Sequence, residues 1–247
     1  SSSSQRQMCI RDRITVEDCI SLCPVSEIGG QRRITFFTSG QQTLFQRCYA
    51  EYGYHDFAVG HLAPGPNAFV QCEACLPYSF SGTIDRWASG VLYDMVNIDG
   101  NTLSFINRGQ DGQGAGWTAA NSMIWQCSAA RIDCYAPPTA NNWAFGVWGQ
   151  FSGNGYWYEP NSHIKPRSLY YAQLSQRIGE KAMKRAFFLP LEHNSTSSPT
   201  VEEARSMTEK SKNPQVKLID WIRQAGTRTF IPVEKGDAKP YLSLIHI

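Results

Sequence analysis

Hydrophobic and polar positions along this chain repeat on a template instead of a helical period. Five segments align without gaps: ITVEDCIS (Ile14–Ser21), TLFQRCYA (Thr43–Ala50), NAFVQCEA (Asn67–Ala74), VLYDMVNI (Val91–Ile98) and SMIWQCSA (Ser122–Ala129). The third position is apolar in every copy: Val16, Phe45, Phe69, Tyr93 and Ile124. The sixth is Cys19, Cys48, Cys72, Val96 and Cys127, at intervals of 29, 24, 24 and 31 residues. The eighth is small or apolar, and the fourth and fifth are mostly polar. Repeats of roughly 20–30 residues built from short β-rich runs and turns predict a solenoid. Neither a leucine ladder nor a 3.6-residue period is present, which removes leucine-rich and helical repeats. The pattern predicts a parallel β-helix whose equivalent residues stack at ~4.8 Å from coil to coil. The polar fourth and fifth positions then form a corner that resets the in–out alternation, so the third, sixth and eighth residues all point inward.

A second strand is expected ahead of each template segment, in RITFFTSG (Arg33–Gly40), DFAVGHLAPG (Asp56–Gly65), DRWASG (Asp85–Gly90), GWTAA (Gly116–Ala120) and NWAFGVWG (Asn142–Gly149). Aligning these runs puts Phe57, Trp87, Trp117 and Trp143 in one aromatic column. The repeat is expected to end near Gly149, giving β-helix coils over 14–160. FSGNGYWYEPN (Phe151–Asn161) reads as a Gly/aromatic loop. Helical spacing at Tyr170, Leu174 and Ile178 predicts a helix within Pro166–Arg185, in a region (161–192) suited to cap the open solenoid end and its strand edges. Residues 193–240 read as a linker (His193–Pro199) and short helices. Thr200 and Glu203 form a capping box, Pro214–Gln224 is amphipathic, and Thr227–Val233 has strand character.

Both ends look foreign. MCIRD (Met8–Asp12) and LSLIHI (Leu242–Ile247) fit the two strands of one inverted repeat and resemble a transposase-type sequencing adapter read through in frame. Residues 1–13 and 241–247 are therefore set aside as artefactual, and the native N-terminus is expected to be missing. This changes the charge picture. The chain carries a formal +2, but the remainder has 20 basic and 20 acidic residues, so no basic footprint points to nucleic acid. With 12% aromatic and 18% charged residues the profile is globular, and no run reaches the ~20 apolar residues of a membrane span.

DRWASGVLYDMV, GWTAANSMIWQC, NNWAFGVWGQ and PRSLYYAQLSQRIG, spread over Phe57–Gly179, resemble a family of bacterial right-handed β-helix proteins of the pectate-lyase-like superfamily. The resemblance implies an all-β, right-handed parallel β-helix, secreted or periplasmic, acting on polysaccharide. Many members carry histidines just before the Arg-Trp pair; here that segment is GTID (Gly82–Asp85).

Candidate chemistry starts with the cysteines. Cys72–Cys75 is a CxxC, but no second ligand pair at zinc spacing accompanies it. Cys19, Cys48, Cys72 and Cys127 are expected as small apolar core residues, with Cys134 the best candidate for external pairing. The strongest polar constellation precedes the aromatic column. Aligning coils places His55 and Asp56 beside Asp85 and Arg86, with Asn141 further along. On a uronate, Arg86 would neutralise the carboxylate and His55, or a deprotonated Lys or Arg, would remove the C5 proton for β-elimination. Asp56 and Asp85 would orient them or hold Ca²⁺; alternatively they would run acid/base hydrolysis. A plain inter-coil ion pair between Asp85 and Arg86 is the competing structural reading. Arg108 and Asp111 lie in the longest inter-coil loop, a place for ligand contacts. Tyr156 and Trp157 are candidate sugar platforms, whereas Trp87, Trp117 and Trp143 read first as core. His61 reads as solvated, and His163 has no identified partner. The expected function is carbohydrate-active, lyase ahead of hydrolase, with a polysaccharide or glycan as partner. The rivals are a non-catalytic glycan-binding β-helix and a tailspike-like adhesion module.

Overall fold

The computed structural model describes residues 12–180 and 199–227. Its strands wind into a parallel β-helix with three faces. One face is a seven-stranded sheet that collects Thr15–Glu17, Thr43–Gln46, Asn67–Val70, Val91–Asp94, Met123–Trp125, Trp143–Phe145 and Tyr156–Tyr158, each pairing in parallel with the next. The second runs through Ile20–Ser21, Tyr49–Glu51 and Glu73–Cys75. The third runs through Ile34–Thr38, His55–Val59 and Ser81–Thr83. Asn97–Phe105 joins these last two, bending at a register shift between Ile98 and Thr102. Ser128–Cys134 and Trp148–Ser152 continue the pattern.

The template registers residue for residue. Phe45, Phe69 and Tyr93 pair across successive coils, and their rings stack at 4.9 and 4.8 Å. The corner falls on the fifth position. Asp18, Arg47, Gln71, Met95 and Gln126 all take φ between 48° and 55°, a left-handed conformation that turns the chain before the sixth residue points in. Cys48, Cys72 and Cys127 are buried there, and each thiol lies 3.5–3.6 Å from the carbonyl oxygen two residues back across the corner. A small apolar side chain with a weak S–H donor suits that position. All seven described cysteines are free. Cys134 is buried in the core cluster instead of available for external pairing.

Three further expectations change. Asn142–Gly149 is not a preceding strand but a sixth copy of the template: Trp143 pairs with Met123, Ala144 with Ile124 and Phe145 with Trp125, and Val147 takes the cysteine position in the core. It was hidden because Ala144 is small and the coil shortens to 20 residues. Tyr156–Tyr158, expected in a loop, is the next strand. The aromatic column also divides. Phe57 belongs to the third face and stacks on Phe36. Trp87 and Trp117 meet at the following turn, where the Trp87 N–H donates to the Trp117 carbonyl. Trp143 lies on the seven-stranded sheet. Where Gly65 and Gly90 stack, a Cβ on Gly65 would come within 2.6 Å of the Gly90 Cα, so this contact between coils requires glycine.

The C-terminal arm lies across the side of the solenoid instead of closing its end. Helix α1 (Leu169–Ile178) packs Tyr170, Tyr171 and Leu174 on Leu44, Ala68 and Val70, the outward residues of the seven-stranded sheet. Polar corner residues secure it. The Gln126 amide donates to the carbonyls of Ile164, Pro166 and Arg167, and Tyr171 Oη donates to Gln46 Oε1 at 3.0 Å. Asp94 accepts from Ser168 Oγ and Tyr170 N, both at 2.7 Å. Helix α2 (Val201–Ser211) carries the Thr200–Glu203 capping box. Helix α3 (Leu218–Arg223) packs Leu218 and Ile222 on Tyr49 of the second face. Among the described residues no helix is long and apolar enough to cross a membrane. The adapter-like ends, apart from Asp12 and Arg13, the segment 181–198 and most of Thr227–Val233 lie outside the described residues.

Asp94 is fully buried, and desolvation lifts its pKa to about 6. An unfolded Asp titrates near 3.9, so between these values the native state holds the extra proton. The stability linked to Asp94 is therefore largest below about pH 4 and lost as pH rises through 6. Urea unfolding at pH 4 and pH 7 should show a smaller decline for Asp94→Asn than for wild type, by roughly 2–3 kcal/mol. Equal declines would exclude this role for Asp94.

Candidate functional site

The coil length near the third and fourth template copies is 24 residues, and this sets which polar groups meet. Ala58 pairs with Gly82 and Val59 with Thr83. One coil before Asp85 is therefore His61, not His55 or Asp56. His61 Nδ1 lies 2.8 Å from Asp85 Oδ2, and Arg86 Nε is 3.5 Å from Asp85 Oδ1. Asp85 thus sits between an imidazole and a guanidinium on adjacent coils. His61 and Arg86 are exposed, at 64% and 45% of their side-chain surface, whereas Asp85 is mostly covered at 24%. Trp87, beside Arg86, is 41% exposed, so the expected core tryptophan faces solvent.

The backbone around this cluster is unusual. His61, Leu62, Arg86 and Trp87 all have positive φ, from 28° to 61°. Left-handed backbone at non-glycine residues costs of order 1–3 kcal/mol each and persists where neighbours enforce it. Here the enforcement is a ladder between coils: Leu62 N–H donates to the Arg86 carbonyl, and Arg86 N–H donates to the Ala115 carbonyl. The turn that carries Asp111 (Asn107–Gly116) is thereby fastened beside the cluster.

His55 and Asp56 lie six residues earlier, inside the third face. His55 is buried, with Nδ1 2.6 Å from the Phe80 carbonyl and its ring edge-on to Phe80 at 4.5 Å. Burial pulls its pKa down to about 4. Asp56 is fully buried, accepts a 2.7 Å bond from Thr35 Oγ1, and is pushed up to about 6 by desolvation. Arg108 links the two regions: its guanidinium donates to the Ile84 carbonyl at 2.7 Å and lies 5.2 Å from the Phe80 ring centroid. Asp111 is exposed in the turn. Asn141 is half-buried, and its side chain accepts from the Asn142 N–H. Trp157 faces inward, against the core, with Nε1 bonded to the Gly153 carbonyl. Tyr156 is exposed on the outer side of the last strand, 5.8 Å from Phe145. The structure therefore brings Asp85 and Arg86 together, puts Arg108 behind them, and separates them from His55 and Asp56. The residue missed was His61. Its signal was in the sequence: the 24-residue spacing between Cys48, Cys72 and Val96, subtracted from Asp85, lands on it.

With Nδ1 held by Asp85, Nε2 is the His61 nitrogen left to exchange a proton. Such a pair can take a proton from a substrate while the adjacent guanidinium binds an anionic group. Among the described residues no three of His, Cys, Asp and Glu converge as a metal-binding group.

A family model described as "Domain of unknown function (DUF6298)" matches residues 155–245, a range that includes the strand Tyr156–Tyr158 and the described helices α1, α2 and α3. No match was found among curated proteins or among solved structures.

His55 supplies a test of the register. Its lowered pKa means that the unfolded chain binds the proton first. The stability tied to His55 is complete above its unfolded pKa near 6.5 and lost as pH falls through about 4. His55→Gln should lose less stability than wild type between pH 7 and pH 4 in urea titrations. The His55 imidazole should also remain neutral at pH 5 by NMR; a ring already protonated there would contradict its place inside the wall.

Proposed function

We propose that this protein acts on a uronate-containing polysaccharide by β-elimination, at the outer turn that carries His61, Asp85 and Arg86. The observation that carries the reading is the 2.8 Å His61–Asp85 contact with Arg86 on the other side of the same carboxylate. Arg86 pairs with the uronate carboxylate and draws charge away from C5. His61 Nε2 takes the C5 proton, the electron pair forms the C4–C5 double bond, the C4–O bond breaks, and the departing oxygen takes a proton from water. Asp85 orients the imidazole and stabilises it once charged. Trp87 offers an apolar surface for a sugar ring next to Arg86. The resemblance to pectate-lyase-like β-helices supports the same class and goes with a secreted or periplasmic location.

Hydrolysis would need two carboxylates flanking one glycosidic bond. Asp56, the partner considered for Asp85, is buried against Thr35, so this constellation favours elimination. A glycan-binding role without chemistry would use the same Arg86 and Trp87.

The reading is tested by screening uronate polymers, with and without Ca²⁺, for the ultraviolet absorbance of the 4,5-unsaturated product. His61→Ala should lower turnover by roughly 10²–10⁴-fold, the usual range for a general base, and Arg86→Ala should abolish it, both with unchanged thermal melting. Saturable polymer binding without product would replace elimination with the binding role. Neither product nor binding from any uronate polymer would end both.

A further inference from the structure

Helices α1 and α3 each pack on a face of the solenoid; helix α2 (Val201–Ser211) does not. None of its side chains is buried, and none joins an apolar cluster of the coils. All of its residues are exposed except the half-buried Ala204. An 11-residue helix is marginal in water on its own, because most helical stability in proteins comes from packing one face. The Thr200–Glu203 capping box secures its start. Yet Val201 and Met207 stay open to solvent, at 62% and 39% exposure.

That open face has a definite pattern. Val201, Ala204 and Met207 follow at three-residue spacing and share one side of the helix. Thr208 and Ser211 complete the side with their hydroxyls turned back onto the helix. Thr208 Oγ1 donates to the Ala204 carbonyl at 2.9 Å, and Ser211 Oγ donates to the Thr208 carbonyl at 2.7 Å. The stripe therefore presents apolar surface whose polar atoms are already satisfied. Charges border it. At about 3.6 residues per turn, Glu203 and Lys210 fall along one border, and Arg205 and Glu209 along the other. Arg205 makes no ion pair among the described residues. Glu209 meets Lys212 at 2.7 Å in an exposed pair, a kind worth little and easily exchanged. The capping box uses Glu203 Oε2, and a carboxylate accepts at both oxygens.

We propose that helix α2 docks on helix α2 of a second copy of this chain, antiparallel about a two-fold axis near Met207. In such an isologous contact each border meets the same border of the other copy. Glu203 then faces the partner's Lys210, and Arg205 faces the partner's Glu209, each pair occurring twice. Both pairs require the same axis: Glu203 and Lys210 are centred between residues 206 and 207, and Arg205 and Glu209 on Met207. A parallel pair would set Glu203 against Glu203 and Lys210 against Lys210, and like charges in contact oppose association. Antiparallel helices also place opposite dipole ends together. A helix of this length falls short of the ~1,200 Å² buried in a stable interface, so the dimer is weak and reversible. This contact is independent of the elimination reading.

Sedimentation velocity of the full chain at low ionic strength tests the pairing. It should show a monomer–dimer equilibrium with Kd of roughly 10–100 µM, as expected for a small interface. Salt at ~1 M, where charges are screened beyond about 3 Å, should weaken it. Arg205→Glu sets Glu against Glu and Glu209→Arg sets Arg against Arg, so each variant alone should dimerise about ten-fold more weakly. An equimolar mixture of the two should recover dimer near the wild-type level, because the heterodimer sets Glu against Arg at both pairs. Neither change touches the capping box or the solenoid, and melting temperatures should match wild type. A chain that stays monomeric up to ~200 µM, well above that Kd range, would overturn the proposal. So would a dimer indifferent to salt or to both variants, which would lie elsewhere on the surface. A mixture no more dimeric than its components would exclude the antiparallel pairing.

Discussion

One left-handed residue per coil, at the fifth template position, is the constraint on which the rest depends. In a stack of parallel strands each coil must turn where its neighbours turn, or the ladder is lost. Asp18, Arg47, Gln71, Met95 and Gln126 all make that turn with φ near 50°, although only glycine adopts it without steric cost. The register it maintains is what aligns Phe45, Phe69 and Tyr93 into one stack and brings the cysteines inward. A slip of one residue would exchange the two sides of every strand, so the corner and the core hold each other in place.

The same corner serves a second purpose. Because the fifth residue turns the chain, its side chain projects outward at the rim of the seven-stranded sheet. Gln126 uses that position to bind three carbonyls of the arm, and neighbouring fourth-position residues, Gln46 and Asp94, receive Tyr171 and the start of helix α1. The mostly polar fourth and fifth positions are thus more than a turn signal. They form the attachment line for a C-terminal segment that covers otherwise exposed Leu44, Ala68 and Val70. Burying Asp94 for this purpose raises its pKa, and the fold carries that cost because two donors aim at its Oδ2.

Chemistry sits where the coils stop resembling one another. His61, Asp85 and Arg86 belong to turns between faces, where coil length varies and side chains are free to differ. The sequence made Asp85–Arg86 visible as a polar pair at the start of an expected strand, but aligning it through the aromatic residues placed His55 and Asp56 beside it. The aromatic alignment fails for a physical reason: Phe57 packs inward on a long strand, whereas Trp87 lies on a turn, so the two are not equivalent despite similar neighbours. The backbone ladder supplies the right equivalence and delivers His61.

By itself the sequence determined the repeat, the parallel β-helix, the inward columns, the corner and the capping box at Thr200, because each follows from local periodicity and from side-chain chemistry within a few residues. It did not determine how many residues separate two stacked coils at a given turn, nor where the arm lies. Those depend on inter-coil hydrogen bonds and on which outer face needs covering. Tertiary structure alone therefore decided that Trp87 faces solvent, that Cys134 is internal, and that the arm crosses the side of the solenoid instead of closing its end.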